Sequence, residues 1–211
     1  MKPSYWDAAT AELAARDSVI AGLIAAHPGI HLARRGDPFT TLARAIVGQQ
    51  ISVKAAQSIW DRFVAATGGR GDPVMLDAAR VSRTRMPTLR RVGLSGSKAL
   101  YLRDLARHFV SGALDPDEWP ALADEPLIER LTDVKGIGRW TAEMFLMFHE
   151  LRPDVFPVDD IGLQKAVALH YHDGARSKPA ELRAFGARYC PYRSVATWYL
   201  WRSLDPIPVE Y

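Results

Sequence analysis

Apolar residues recur mostly at helical spacing along this chain, and no stretch shows the sustained alternation of a β-strand. Leu13, Ile20, Leu23 and Ile24 illustrate the helical pattern near the start of the chain. Turn-forming residues divide the pattern into segments of ordinary helix length, and they lie at 27–29, 35–38, 67–73, 115–116 and 152–153. The sequence therefore predicts an all-α protein.

A polar break that begins with glycine separates two of the predicted helices. Apolar residues line the helix before it from Leu42 to Ile46 and the helix after it from Val53 to Phe63. Gly48-Gln49-Gln50 lies between them. A short polar connection between two amphipathic helices predicts an exposed loop tip.

The composition excludes several kinds of site. The chain of 211 residues has one cysteine, Cys190, so it cannot form an intramolecular disulfide, a four-cysteine iron-sulfur cluster or a cysteine-rich zinc site. No apolar run approaches the roughly 20 residues of a membrane span. The segment from Met1 to Asp7 lacks the apolar core of a signal peptide. We therefore expect a cytoplasmic protein without a membrane partner.

Positive charge is concentrated in one part of the chain. The net charge of +3 is only mildly basic, but a single acid, Asp104, lies among eight cations: Arg80, Arg83, Arg85, Arg90, Arg91, Lys98, Arg103 and Arg107. These cations could pair with phosphates of a nucleic acid. A solvated helical face is the equal alternative.

The segment from Leu131 to Ala142 predicts a helix, a tight turn and a second helix. Gly136 and Gly138 permit backbone conformations and close approaches that a Cβ would obstruct. The amides that open the second helix then point outward, where they and the helix dipole favour an anion such as a DNA phosphate. Ile137, between the glycines, can fill the gap between the two helices.

A second helix start follows at Pro157-Val158-Asp159-Asp160. Either acid could simply be the N-cap of that helix. Two adjacent acids exceed what one cap requires, and the positive end of the helix dipole stabilises a negative charge there. One of the two is therefore a candidate for chemistry that needs an ionised carboxylate.

These motifs together resemble the helix-hairpin-helix, Gly/Pro-rich-loop, aspartate (HhH-GPD) superfamily of DNA glycosylases. The closest resemblance is to the 3-methyladenine DNA glycosylase II branch. It covers most of the chain in order, from about Asp37 to Trp201, and rests on Ala45–Ser52, Gly136–Ala142, Phe156–Asp160 and Pro191–Ser194. It implies a single domain over residues 1–211 with two helical lobes that flank a DNA-binding active-site cleft. Lobe A is expected at about 38–152, with the hairpin at 131–142, and lobe B at about 1–37 plus 153–211.

The resemblance also implies roles for individual residues. Asp160 is the expected catalytic residue, because the family has an apolar residue three positions later and Leu163 fits that register; Asp159 is then its cap or partner. The expected base pocket is Trp140, Trp201 and Met144, with Met144 where a close relative has an aromatic residue. Gln50, with Gln49 beside it, is expected to intercalate into DNA. The hairpin residues expected at a phosphate are Gly136, Ile137, Gly138 and Thr141. Arg193 is expected near the DNA or the active-site helix, with a structural ion pair as the alternative.

The resemblance implies no required cofactor. Carbonyl oxygens of Thr132, Val134 and Ile137 could hold a structural Na⁺ or K⁺. His170 and His172 are two positions apart, which directs them to different faces of a helix, so they do not indicate a metal site.

The implied reaction is release of a damaged base without cleavage of the DNA strand. Bifunctional relatives carry a Schiff-base lysine immediately before the hairpin threonine, where this chain has Trp140, and Lys135 lies on the near side of the turn. We expect a monomer that acts on double-stranded DNA containing alkylated, cationic purines such as 3-methyladenine and 7-methylguanine. The alternatives are a non-catalytic module that binds damaged DNA and an enzyme of the same fold for deaminated or oxidised bases. The residues do not rank the substrates, and activity on 1-methyladenine or hypoxanthine stays open.

Overall fold

The structure is a computed structural model that describes residues 2–34 and 36–204. Arg35, the first residue of a predicted turn, and residues 205–211, the end of predicted lobe B, lie outside the described residues. Twelve α-helices cover the described chain: α1 Trp6–Arg16, α2 Ser18–Ala26, α3 Pro38–Gly48, α4 Val53–Thr67, α5 Ala78–Arg83, α6 Met86–Arg91, α7 Gly96–Ser111, α8 Asp124–Thr132, α9 Arg139–Phe148, α10 Ile161–Tyr171, α11 Pro179–Gly186 and α12 Arg193–Leu204. Strand pairing among these residues is limited to an isolated bridge between Arg70 and Met75. The predicted all-α class is confirmed.

Polar side chains mark where several helices begin, as the sequence suggests. Asp37 accepts the N–H of Thr40 at the start of α3, with Pro38 as its first residue. Ser52 accepts the N–H of Ala55 at the start of α4. Each such cap contributes about 1 kcal/mol of helix stability. These caps set the residue at which each helix starts, and with it the loop that precedes it.

The chain forms two compact units. One consists of residues 1–34 and 146–211, and we call it the split unit. The other consists of residues 35–145, and we call it the continuous unit. The boundary between them lies inside α9, after Phe145.

The core of the split unit surrounds α12. Every residue of this helix from Ser194 to Leu200 is buried, and a helix that is buried on all sides must lie at the centre of its unit. Apolar side chains of the other elements in this unit pack into the same core: Trp6, Leu13, Ile20, Leu32, Phe156, Leu163, Val167 and Leu182. Residues near both ends of α12 are therefore well placed to hold the loops around them.

The core of the continuous unit is built on α7, which packs against α3 and α5. Leu102 and Leu105 of α7 are completely buried. Edge-to-face aromatic contacts extend the core from Phe39 through Phe109 to Trp119, with ring centroids 5.2 and 6.1 Å apart. The loop after α3 and the hairpin after α8 belong to the same unit.

Candidate active site and DNA-binding elements

Asp160 is the residue that caps α10, and two N–H donors hold its carboxylate. Its Oδ1 accepts the main-chain N–H of Leu163 at 2.7 Å and the indole Nε1–H of Trp201 at 2.8 Å. Hydrogen bonds to an ionised acceptor are stronger than those between neutral groups, and the dipole of α10 adds to the stabilisation of a negative charge. The half-buried side chain thus presents an oriented carboxylate.

Asp159 does not serve as the cap or as a partner of Asp160, and that prediction is wrong. The N–H of Asp160 donates to the Pro157 carbonyl oxygen at 2.9 Å in a tight turn. This turn puts Asp160 itself at the extended cap position, with φ −73° and ψ 121°. Asp159, one position earlier, is exposed and makes no hydrogen bond or ion pair with the described residues.

The Trp201 indole is held in place by the ring of Phe148 and by the carboxylate of Asp160. The indole stacks on Phe148, with the ring centroids 5.9 Å apart and an interplanar angle of 6°. Gly162 leaves space for the indole, because a Cβ there would lie 3.0 Å from Asp160 Oδ1 and 3.1 Å from Trp201 Cδ1. Phe148, Gly162, Trp201 and Asp160 therefore form one packed group in the split unit.

The start of α12 holds the loop that leads to Asp160. Ser194 Oγ donates to the Arg152 carbonyl oxygen at 2.6 Å and accepts the N–H of Val155 at 2.9 Å. Arg193 binds Asp154 through two hydrogen bonds of 2.8 and 2.9 Å, and Asp154 also accepts its main-chain N–H. Of the two roles considered for Arg193, the structure thus shows the ion pair.

The hairpin turn between α8 and α9 requires glycine at Gly136 for two reasons. Its φ is +86°, which is the left-handed region. A Cβ there would also overlap the ring of Tyr101. Ile137, between the two glycines, is 4% exposed. Gly138 has open space where its Cβ would be, which leaves the backbone accessible at the start of α9.

The residues predicted for the base pocket on α9 differ in exposure. Trp140 is 37% exposed and Met144 is 6% exposed. They are four positions apart, so they lie on one side of the helix. Thr141 is 9% exposed. Lys135, by contrast, is an exposed side chain of the turn.

Arg139, the first residue of α9, is paired with acids. It binds Glu125 of α8 through both terminal nitrogens and Glu143 through Nε at 3.0 Å. The hydrogen bonds to Glu125, together with the charges of both acids, raise the pKa of Arg139 further above its usual value. Arg139 is therefore engaged with acids of the protein itself.

The loop after α3 has one anchored glutamine and one exposed glutamine. Gln49 donates from Nε2 to the Gly136 carbonyl oxygen at 2.9 Å, which connects the loop to the hairpin. Gln50 is exposed and has a positive φ of 57°, an uncommon conformation for a residue with a side chain. The exposed side chains continue through Ile51 and Val53. Gln49 is therefore a connector between two loops, and Gln50 is the side chain at the tip.

Two members of the basic segment are engaged inside the continuous unit. Lys98 donates to the carbonyl oxygens of Val47 and Gln49 at 2.8 and 2.6 Å, and burial lowers its pKa. Arg90 donates to the Leu94 carbonyl oxygen at 3.0 Å. Lys98 binds main-chain oxygens at the end of α3. Neither a phosphate contact nor a solvated helical face, the two alternatives for this segment, describes it.

Within the described ranges, no cluster of three or more histidine, cysteine, aspartate or glutamate side chains has the arrangement of a metal site. None of the described helices is both long and apolar enough to cross a bilayer.

A match to a family model identifies the protein family of this chain. The model of the HhH-GPD superfamily base excision DNA repair protein matches residues 43–191, which is more than half of the 211 residues. The chain belongs to the HhH-GPD superfamily. The match includes the hairpin and Asp160, and it ends before Trp201.

Relatives of this HhH-GPD protein carry a consistent description. A putative DNA-3-methyladenine glycosylase of Bacillus subtilis is 34% identical over 85% of the chain, which spans 63% of that relative's length. The crystal structure of a DNA-3-methyladenine glycosidase from Bacillus halodurans is 36% identical with a TM-score of 0.82, over 92% of this chain and 87% of the other. The 3-methyladenine DNA glycosylase Mag1 of Schizosaccharomyces pombe, solved in complex with abasic DNA, is 28% identical with a TM-score of 0.79, over 96% and 98%.

Sequence reasoning did not predict which residues hold the candidate site residues and the two loops in place. Phe148 and Gly162 support Trp201, and Tyr101, Asp104 and Lys98 contact the hairpin or the loop after α3. Gly162 could have been recognised from the sequence, because it is a glycine two positions after Asp160. The other four carry no signal, because their partners are distant in sequence.

We predict that Gly136→Ala destabilises the protein by about 2 kcal/mol or more, since alanine would be strained at a positive φ and would overlap Tyr101. For a chain of this size, that corresponds to a thermal midpoint lower by about 4 °C or more. Circular dichroism melts measure it. Gly138→Ala is the matched control and should change the midpoint far less; equal melts for both variants would contradict the requirement for glycine at 136.

Proposed function

We propose that the protein is a monofunctional DNA glycosylase that removes alkylated, cationic purines such as 3-methyladenine and 7-methylguanine in base excision repair. The observation that carries the proposal is the Asp160 carboxylate, oriented at the start of α10 by the Trp201 indole in a member of the HhH-GPD superfamily. The descriptions of the Bacillus and Schizosaccharomyces proteins support the same substrate class. We further propose that it acts as a monomer on double-stranded DNA.

The chemistry follows from the charge on the substrate. Alkylation of a ring nitrogen makes the purine cationic, so it leaves with little need for protonation. As the glycosidic bond breaks, the sugar becomes a cation resembling an oxocarbenium ion. The ionised carboxylate of Asp160 stabilises that charge or orients the attacking water. Water adds its hydroxyl group to the sugar and releases one proton to solvent, and the products are the neutral free base and an abasic site.

A base stacked in duplex DNA cannot reach such a carboxylate, so the nucleotide must rotate out of the helix at a cost of a few kcal/mol. A protein side chain must then fill the gap. Gln50 supports this role because it is exposed at the loop tip, and Ile51 beside it is also exposed. The hydrogen bond from Gln49 to Gly136 would hold the loop that carries Gln50 in position.

Aromatic faces suit a flipped cationic purine, since stacking and cation-π attraction each contribute roughly 0.5 to 2 kcal/mol. Trp201 is backed by Phe148 in the split unit, and this stacking keeps its ring in one orientation. We propose Trp140 and Met144 of α9 as further contacts of the base. A methionine at 144 supplies a flexible apolar surface in place of an aromatic ring.

The hairpin is proposed to grip one DNA strand without regard to sequence. The accessible backbone at Gly138 and the dipole of α9 favour a phosphate there. Main-chain carbonyl oxygens suit a hard cation, and Thr132, Val134 and Ile137 would supply them to a Na⁺ or K⁺ beside the turn. Such a cation would be structural and would add positive charge beside a phosphate.

Asp160→Asn should lower the rate of base release by about 100-fold or more and leave the affinity for damaged duplex DNA unchanged. Asparagine retains an oxygen for the Leu163 and Trp201 N–H groups, removes the charge and replaces the second carboxylate oxygen with an NH2 group. Release of 3-methyladenine and 7-methylguanine from methylated DNA is the measurement. Asp159→Asn is the control, with the same loss of charge at an exposed neighbour.

Full activity of Asp160→Asn would move the catalytic role elsewhere. DNA binding by the wild-type protein without any base release would favour a non-catalytic module that binds damaged DNA. Release of deaminated or oxidised bases in preference to alkylated ones would favour the other alternative.

Trp201→Phe should slow base release by about 10-fold with a smaller effect on KM, because it removes a hydrogen bond to a charged group that is worth about 1.5 kcal/mol and keeps an aromatic ring against Phe148. Single-turnover rates with methylated DNA measure it. Trp198→Phe, on the same helix, is the control, since its Nε1–H has no hydrogen-bond partner in the described part of the chain. Equal rates for the two variants would exclude the proposed role of the indole N–H.

The abasic product should remain an intact strand. By the resemblance, Trp140 stands where bifunctional relatives carry the Schiff-base lysine, and Lys135 is exposed in the turn. Reaction with end-labelled DNA should yield strand breaks only after treatment with alkali, and borohydride should trap no covalent complex. A trapped complex that disappears in Lys135→Ala would contradict the prediction.

A further inference from the structure

Helix α7 contacts both of the elements proposed to touch DNA. Lys98, Tyr101 and Asp104 are spaced three positions apart and follow one side of the helix. Lys98 reaches the loop after α3, and Tyr101 and Asp104 reach the hairpin. All three lie in the continuous unit, with both of their targets.

Lys98 fixes the base of the exposed loop. The last carbonyl groups of a helix lack partners within that helix, and Lys98 donates to Val47 of α3 and to Gln49 just after it. A cation at the negative end of the helix dipole is also favourable. Gln50 follows Gln49 directly, so Lys98 holds the backbone next to the exposed Gln50 side chain.

Tyr101 and Asp104 fix the hairpin. The ring of Tyr101 occupies the space where Gly136 has no side chain. The Oδ2 of Asp104 accepts the main-chain N–H of Lys135 at 2.9 Å. An acid beside the proposed phosphate site would repel the phosphate. The Oδ2 of Asp104 also lies 3.9 Å from Nδ1 of His108 on the same helix, but the contact that Asp104 makes with the turn is its hydrogen bond to the Lys135 N–H.

We propose that Lys98, Tyr101 and Asp104 are positioning residues that hold the Gln50 loop and the glycine hairpin in one register for DNA binding. The proposal rests on the proposed function and names the residues through which its DNA-binding parts are held. The hydrogen bond from Gln49 to Gly136 links the two elements directly and completes the connection. A shift of either element would misalign Gln50 with the main-chain amides of the hairpin, and misplacement of about 1 Å is costly in such sites.

The decisive experiment compares Asp104→Ala with Asp104→Asn. Both variants lose the same charge, but only asparagine keeps an oxygen that accepts the Lys135 N–H. Fluorescence anisotropy with a duplex that contains a tetrahydrofuran abasic-site analogue measures the affinity. We expect Asp104→Ala to bind about 5-fold more weakly than Asp104→Asn or worse. Equal affinities, or tighter binding by the alanine variant, would overturn the role of Asp104.

Lys98 allows an independent test in the same assay, which also serves if Asp104→Ala fails to fold. A lysine that contacts phosphate contributes about 0.9 to the slope of log affinity against log salt concentration. We expect Lys98→Met to lower the affinity about 5-fold without a change in that slope, because its ammonium group binds carbonyl oxygens of the protein. Arg107→Met, an exposed residue of the same helix, controls for loss of charge. A lower slope in Lys98→Met would overturn the proposal in favour of a phosphate contact.

The wild-type protein separates this proposal from the proposed function. Failure of the wild-type protein to release alkylated bases would contradict the proposed enzyme and leave the binding comparison intact. Base release by the wild-type protein, with equal binding by the two Asp104 variants, would contradict only the positioning role.

Discussion

The hydrogen bond from Trp201 to Asp160 ties the candidate catalytic carboxylate to the most deeply buried helix of the split unit. Near the other end of that helix, Ser194 holds the loop at Arg152 and Val155. The segment that leads to Asp160 is therefore fastened at its beginning and at its end to one helix. A carboxylate held in this way is oriented before any substrate binds, and such preorganisation is what makes electrostatic stabilisation effective.

The continuous unit follows the same logic with different chemistry. Its exposed loop and its hairpin are short segments that are held by contacts with distant residues. Side chains of α7 contact both segments, and the side-chain amide of Gln49 in the loop binds Gly136 in the hairpin. The surface proposed to bind DNA therefore consists of main-chain amides and a loop tip, while several of the charged groups nearby are engaged within the protein. Arg139, paired with Glu125 and Glu143, follows this pattern.

Much of the fold and of the candidate site could be predicted from local sequence. Helical periodicity gave the all-α class, and the spacing of Gly136 and Gly138 located the hairpin. The acids after Pro157 located the start of α10, although only the tight turn from Pro157 to Asp160 assigns the cap to Asp160 rather than Asp159. Lys98 was grouped with its basic neighbours because nothing near it in sequence reveals the carbonyl groups that it binds.

The sequence by itself determined where helices start and turn, because caps, glycine turns and apolar spacing act over about four residues. It also determined the family, through motifs that are each contiguous. Only the tertiary structure decided which side chains hold those motifs, such as Trp201 on Asp160, 41 positions away, or Gln49 on Gly136, 87 positions away. Contacts of this kind depend on the packing of whole helices, and no local pattern of residues encodes them.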